Sequence, residues 1–277
     1  MIIDSHHHLW KYNAADYGWM DDTMAILKQD YLPADLEKQL SGSNVTDTVV
    51  VQARQTLEET RWLLKLAKEN SFIRGVVGWV DLRSDSLTDE LNEFSDETKL
   101  VGVRHVIHDE ADDDFMLRPA FIRGIEKLLK YKLTYDLLLF PKHLKKAVEL
   151  VSIFPEQKFV LDHISKPFIK SGILGLWQDD IAALAAQPNV WCKISGMVTE
   201  ADIKNWKYED FIPYLDIVVE AFGTDRIMLG SDWPVCLQAG EYKAVMEIGQ
   251  KYFEKFNSNE KKKIFADNCV QFYNLNL

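Results

Sequence analysis

Apolar positions along the chain come in two alternating textures. Short unbroken runs rich in β-branched residues fall at 2–6 (IIDSH), 48–53 (TVVVQA), 74–80 (RGVVGWV) and 100–106 (LVGVRHV). Others follow at 133–139 (LTYDLLL), 158–163 (KFVLDH), 190–195 (VWCKIS) and 226–231 (RIMLGS). Most do not alternate with polar residues, which is the pattern of parallel strands buried on both faces. Between them lie amphipathic stretches. LEETRWLLKLAKEN (57–70) puts Trp62, Leu63, Leu66 and Ala67 on one side and charges on the other. Segments 118–132 and 141–154 read the same way, with Pro119 and Pro141 suited to first-turn positions. Segment 208–223 ends at Gly223, a helix stop, and Asn257 or Ser258 is placed to cap a last helix with Glu260 close behind.

Eight strand-like runs, each followed by helical sequence, predict a (β/α)₈ barrel. An open doubly wound sheet is the alternative, but neither GxGxxG nor a P-loop accompanies it. With no repeat, low-complexity tract or linker, residues 1–277 read as one domain, and the acidic segment 109–114 as a solvated loop. The length of 277 residues is near the roughly 250 of such barrels.

Composition narrows the function. The 43 acidic against 32 basic residues give a net charge of -11, which argues against nucleic acid or an anionic membrane as partner. No long apolar run is present, and the opening MIIDSHHHLW lacks the basic and apolar regions of a signal peptide. Cys192, Cys236 and Cys269 show no CxxC spacing, so a cytoplasmic protein with reduced thiols is expected. The sequence carries no signal for an oligomeric state.

In a barrel the chemistry sits at the C-terminal ends of the strands. His6 and His8, two apart on the first run, share a side, and His7 faces away. A tag remnant or surface run is the bland reading, but the three histidines are embedded between IIDS and LW. His163 closes FVLDH and Asp232 follows RIMLGS. Alone, the first could be a core histidine and the second a helix cap; together at one rim they point to a site. Arg104 and His105 end the fourth run, and alternation lets only one face the centre. Lys166, Lys193 and Arg54 are further polar candidates, equally suited to rim salt bridges. Trp10, Trp79 and Trp233 could stack on a sugar-like ring or fill the core. No G-x-S-x-G elbow or placed cysteine supports acyl-enzyme chemistry.

The segments IDSHHHLW, GVRHVIHDEADDDF, LDHISKP, KISGM, GSDWP and NCVQFYNL, in that order, resemble the amidohydrolase superfamily. More narrowly they resemble its branch of sugar lactonases, which includes L-fuconolactone, L-rhamnonolactone and pyrone dicarboxylate hydrolases. The resemblance implies the barrel, and a metal-ligand set drawn from His6, His8, His163 and Asp232. Superfamily members with two metals carry a carboxylated lysine on strand four and a histidine on strand five. Here those strands read GVRH and LTYDLLLF, so no dinuclear site is expected. One divalent metal, zinc by preference, is implied, though some enzymes of the branch dispense with it. The expected reaction is lactone hydrolysis. Asp232 would act as general base, with His163 and either Arg104 or His105 stabilising the oxyanion. Few arginines at the rim favour a neutral sugar aldonolactone over a polyanionic ring. A metal-dependent decarboxylase of the same superfamily and a non-catalytic binding barrel are the rival readings.

Overall fold

A computed structural model describes residues 1–277. Eight strands run β1 (Ile3–His7), β2 (Asp47–Val51), β3 (Ile73–Gly78), β4 (Leu100–His105), β5 (Thr134–Leu137), β6 (Phe159–Leu161), β7 (Val190–Ile194) and β8 (Ile227–Leu229). They pair in sequence order, all parallel. The helices are α1 (Pro33–Leu40), α2 (Leu57–Glu69), α3 (Leu87–Glu93), α4 (Pro119–Leu128), α5 (Leu144–Ile153), α6 (Gly175–Ala185), α7 (Ile212–Phe222), α8 (Tyr242–Tyr252), α9 (Ser258–Lys262) and α10 (Asn268–Tyr273). This is a (β/α)₈ barrel. No helix is long and apolar enough to cross a membrane.

Asn257 caps α9, accepting from the amides of Asn259 and Glu260 while Glu260 accepts from its own N–H. Five helices, α1, α3, α6, α8 and α10, have no boundaries set by the hydrophobic pattern. The stretches expected at 118–132, 141–154 and 208–223 begin or end in a 3₁₀ turn rather than running as one helix. Segment 109–114 is largely solvent-exposed, as expected, and on its surface Asp112, Asp113 and Asp114 pair with Arg118, Lys142 and Lys146.

Along the barrel axis the interior is layered. Near the N-terminal ends of the strands, Ile3, Val49, Val77, Val101, Val160 and Met228 pack with Phe272, Tyr273 and Leu275, so the C-terminal segment plugs that end. Above this apolar layer lie charged side chains from β4, β5, β7 and the turn after β6, and above them the site.

Two irregularities aim the site residues. β1 pairs Asp4 with Thr48 but His7 with Val50, so β1 holds one extra residue between them. Asp4 and His7 thereby share the outer face; His7 bonds Thr48 Oγ1 at 3.0 Å and Asp4 meets Tyr242 of α8 at 3.0 Å. The bulge turns His6 and His8 inward. The second irregularity is the seam between β8 and β1, which is joined mainly beyond the end of β8. Asp232 N donates to His6 O at 2.8 Å and His8 N to Trp233 O at 2.6 Å. The buried Asp4 carboxylate accepts from Ser231 N at 2.9 Å and Ser231 Oγ at 2.6 Å. Gly230 lets the two segments meet, since a Cβ there would lie 2.8 Å from the His6 Cβ.

Candidate active site

β6 and β8 are only three residues long because the chain turns sharply after each. His163, Ile164, Ser165 and Lys166 all have left-handed backbone, with φ between 47° and 62°, and Asp232 has φ 58°. Left-handed geometry costs a residue with a side chain roughly 1–2 kcal/mol. The first turn is held by Lys166 N donating to His163 O at 2.8 Å and Trp177 Nε1 donating to Ile164 O at 2.9 Å. Concentrated strain of this kind fixes side chains where function needs them.

The four inward residues converge. His8 Nε2 lies 3.3 Å from both His6 Nε2 and Asp232 Oδ1. Asp232 Oδ1 is 3.9 Å from His6 Nε2 and 3.8 Å from His163 Nε2. What stands behind each ring sets its tautomer. His8 Nδ1 donates to Val51 O at 2.8 Å, and His6 Nδ1 faces the Asp162 carboxylate at 3.2 Å. Val51 O only accepts, so His8 Nε2 presents a lone pair to the Asp232 carboxylate. His6 Nδ1 also lies 3.2 Å from Lys193 Nζ, and the Arg104 guanidinium, which only donates, meets His6 Nε2 at 3.2 Å. That arrangement calls for a cation or a proton among them, and the outer partners orient the rings as in metal sites. Burial holds His6 and His163 well below the ordinary histidine range. Burial pushes Asp232 upward, but His163 and His8 more than offset it, so its carboxyl sits below the usual value.

His163 Nδ1 is 2.9 Å from Ser195 Oγ, and its ring lies against Gly196. A Cβ on Gly196, whose φ is 62°, would come within 2.5 Å of that Nδ1. Gly196→Ala is therefore expected to displace the imidazole and lower kcat by about 10²-fold with the fold retained. Steady-state kinetics beside a thermal melt check this.

Beneath the site lies a buried ionic layer. Lys193 Nζ contacts Asp136 Oδ2 at 2.5 Å and Asp162 Oδ1 at 3.0 Å, and Tyr273 OH donates to Asp136 Oδ2 at 2.8 Å. Arg104 NH1 donates to Asp162 Oδ2 at 3.0 Å, and its NH2 to Gln52 O and Oε1 at 2.5 and 2.9 Å.

Above the site opens a cavity of about 410 Å³. His8, Arg104, His163 and Asp232 contribute to its lining. Around them stand Trp10, Trp19 and Met24 from the loop after β1, His108 and Asp109 after β4, and Lys166 after β6. Glu200 follows β7, and Val235 and Gln238 follow β8. The structure thus brings His6, His8, His163, Asp232, Arg104, Trp10 and Lys166 together.

It does not bring the other expected contacts to the cavity wall. His105 is the outward member of its pair, stacked on Phe115 at 4.7 Å and bonded to Glu110 at 2.7 Å. Trp79 donates to His105 Nδ1 at 3.3 Å on that same outer side. Trp233 packs edge-on to Tyr31, and Arg54 pairs with Asp16 at 2.9 Å. Lys193 is fully buried in the ionic layer.

Sequence reasoning passed over Asp136, Asp162, His108, Trp19, Glu200 and Gln238. For the two aspartates a signal was present: Asp136 interrupts apolar β5 and Asp162 directly follows apolar β6, the argument already applied to Asp232.

The family model described as amidohydrolase matches residues 3–275. The chain belongs to the amidohydrolase family. Among relatives of this amidohydrolase, an L-fucono-1,5-lactonase from Burkholderia ambifaria is 36% identical over 280 residues, 99% of this chain and 95% of its own length. One of the same name from Burkholderia multivorans is 36% identical over 284 residues, 99% of this chain and 96% of its own. An amidohydrolase from Burkholderia multivorans solved with bound zinc superposes with a TM-score of 0.96 at 36% identity, covering 100% of both chains. In this amidohydrolase, His6, His8 and Asp232 form a cluster able to hold a divalent metal.

Proposed function

We propose that this amidohydrolase opens a sugar aldonolactone of the L-fucono-1,5-lactone type by adding water across the ring ester. The observation that carries the reading is the buried Asp232 carboxylate in the lining of a polar cavity, flanked by His8 and His163. The full-length likeness to two L-fucono-1,5-lactonases supports it.

Asp232 takes a proton from the attacking water, and the carboxylic acid so formed returns it to the leaving ring alkoxide. His163 faces the developing oxyanion with its Nε2, the Nδ1 being engaged with Ser195. His6, His8 and Asp232 would hold a single zinc ion, which when bound supplies Lewis acidity and lowers the pKa of water. A single ion is proposed because strand four reads GVRH and strand five LTYDLLLF, without the lysine and histidine of two-metal members, and Arg104 and Asp136 on those strands are ion-paired with Asp162 and Lys193.

The substrate reads as uncharged. Arg104 and Lys166 are the basic side chains in the cavity lining, and each is committed, to Asp162 at 3.0 Å and to Glu200 at 3.0 Å. No spare cation is offered to a polycarboxylate ring, whereas paired charges, His108 and Gln238 suit hydroxyl groups.

Acid release against a panel of aldonolactones, with and without chelator, tests the proposal. Hydrolysis of a deoxy-sugar 1,5-lactone that chelator lowers and zinc restores is expected. Absence of release across the panel would overturn it.

A further inference from the structure

We infer that Arg104 is a fixed cationic competitor for the divalent metal, occupying the His6 lone pair and keeping the donor set a weak, exchangeable metal site. The inference rests on reading His6, His8 and Asp232 as that donor set.

Arg104 NH1 approaches His6 Nε2 at 3.2 Å. The guanidinium only donates, so its contact makes Nε2 the accepting nitrogen and leaves the ring proton on Nδ1, which lies 3.2 Å from both Asp162 Oδ1 and Lys193 Nζ. One imidazole lone pair serves an N–H donor or a metal ion, not both. A guanidinium cannot give up its proton at any pH the fold survives, so the metal must displace it.

The guanidinium is poorly placed to yield. Arg104 is 4% exposed. Its NH1 is tied to Asp162 Oδ2 and its NH2 to both oxygens of Gln52. The bidentate grip of Gln52 holds the side chain in one orientation, with NH1 between Asp162 and His6.

Charge acts in the same direction. Arg104 and Lys193 balance Asp136 and Asp162, so the layer below the donors offers an incoming cation no net negative charge. Asp232 is left as the one anionic donor. With a neutral side chain at position 104, His6 Nε2 would be free and Asp162 would lend the His6 ring more negative charge, two changes that strengthen metal binding.

The test is a zinc titration against a chromophoric chelator, for the wild-type protein, Arg104→Met and Gln52→Leu. It needs no substrate, so its outcome is independent of whether the lactonase reading holds. Arg104→Met is expected to tighten zinc binding about 10–100-fold. Gln52→Leu, which removes the side-chain acceptor gripping the guanidinium, should tighten it by less. Adding His8→Ala to Arg104→Met should abolish the gain. Unchanged or weaker binding in folded Arg104→Met overturns the inference, as does a gain that survives loss of His8. Should circular dichroism show Arg104→Met unfolded, Gln52→Leu decides alone: tighter binding upholds the inference, and equal or weaker binding overturns it.

Discussion

Asp232→Asn is expected to lower kcat by about 10²–10⁴-fold while leaving the fold intact. The amide has the shape of the carboxyl group but accepts no proton at working pH. The backbone should tolerate the change, because Asp232 has φ 58° and asparagine enters left-handed geometry more readily than almost any residue but glycine. The seam bond from residue 232 N to His6 O uses main chain only and survives. Kinetics should be read beside zinc content and a thermal melt, so that a lost base is separated from a lost ligand. A folded variant that keeps near-normal turnover would remove Asp232 from the role of general base.

Lys193→Met should be the most damaging single change to stability, costing about 3–5 kcal/mol. Burial alone would lower the Lys193 ammonium, but Asp136 and Asp162 more than offset this and hold it above its ordinary value. Asp162 is likewise pushed up by burial yet held well below its usual range by Lys193, His6 and Arg104. Both aspartates have no exposed surface, so methionine would strand a carboxylate with no water to take over. Lys193→Met combined with Asp136→Asn should recover part of the loss, since Asp162 keeps Arg104 as partner. Urea unfolding of the two variants measures this, and equal losses in both would mean that charge balance is not what the lysine supplies.

The barrel was legible because most strands after β1 are dense apolar runs and strand-like and helical sequence alternate along the chain. The β1, β6 and β8 contributions to the site were legible for a related reason: His6, His8, His163 and Asp232 are polar groups at the ends of apolar strands, where burial without purpose is costly. Facing was harder. Alternation left Arg104 and His105 open, and the register of β4 against β5 and the partners Asp162 and Phe115 decide between them. Lys193 illustrates a different obscurity. Its partners come from β5 and the turn after β6, so no local signal distinguishes a rim lysine from one sealed inside. The cavity walls were least legible. Trp19, Glu200 and Gln238 sit on loops, where no hydrophobic period marks which side chains turn toward the cavity.

The seam between β8 and β1 couples two events that are separate in most proteins. Asp232 and His6 are at once the contacts that join the last strand to the first and members of the site. The two ends of the chain must therefore meet before the donors exist, and a barrel stalled one strand short of its ring is both open and inert. Ring closure serves as a checkpoint on competence: a half-built molecule lacks the assembled cluster of His6, His8 and Asp232.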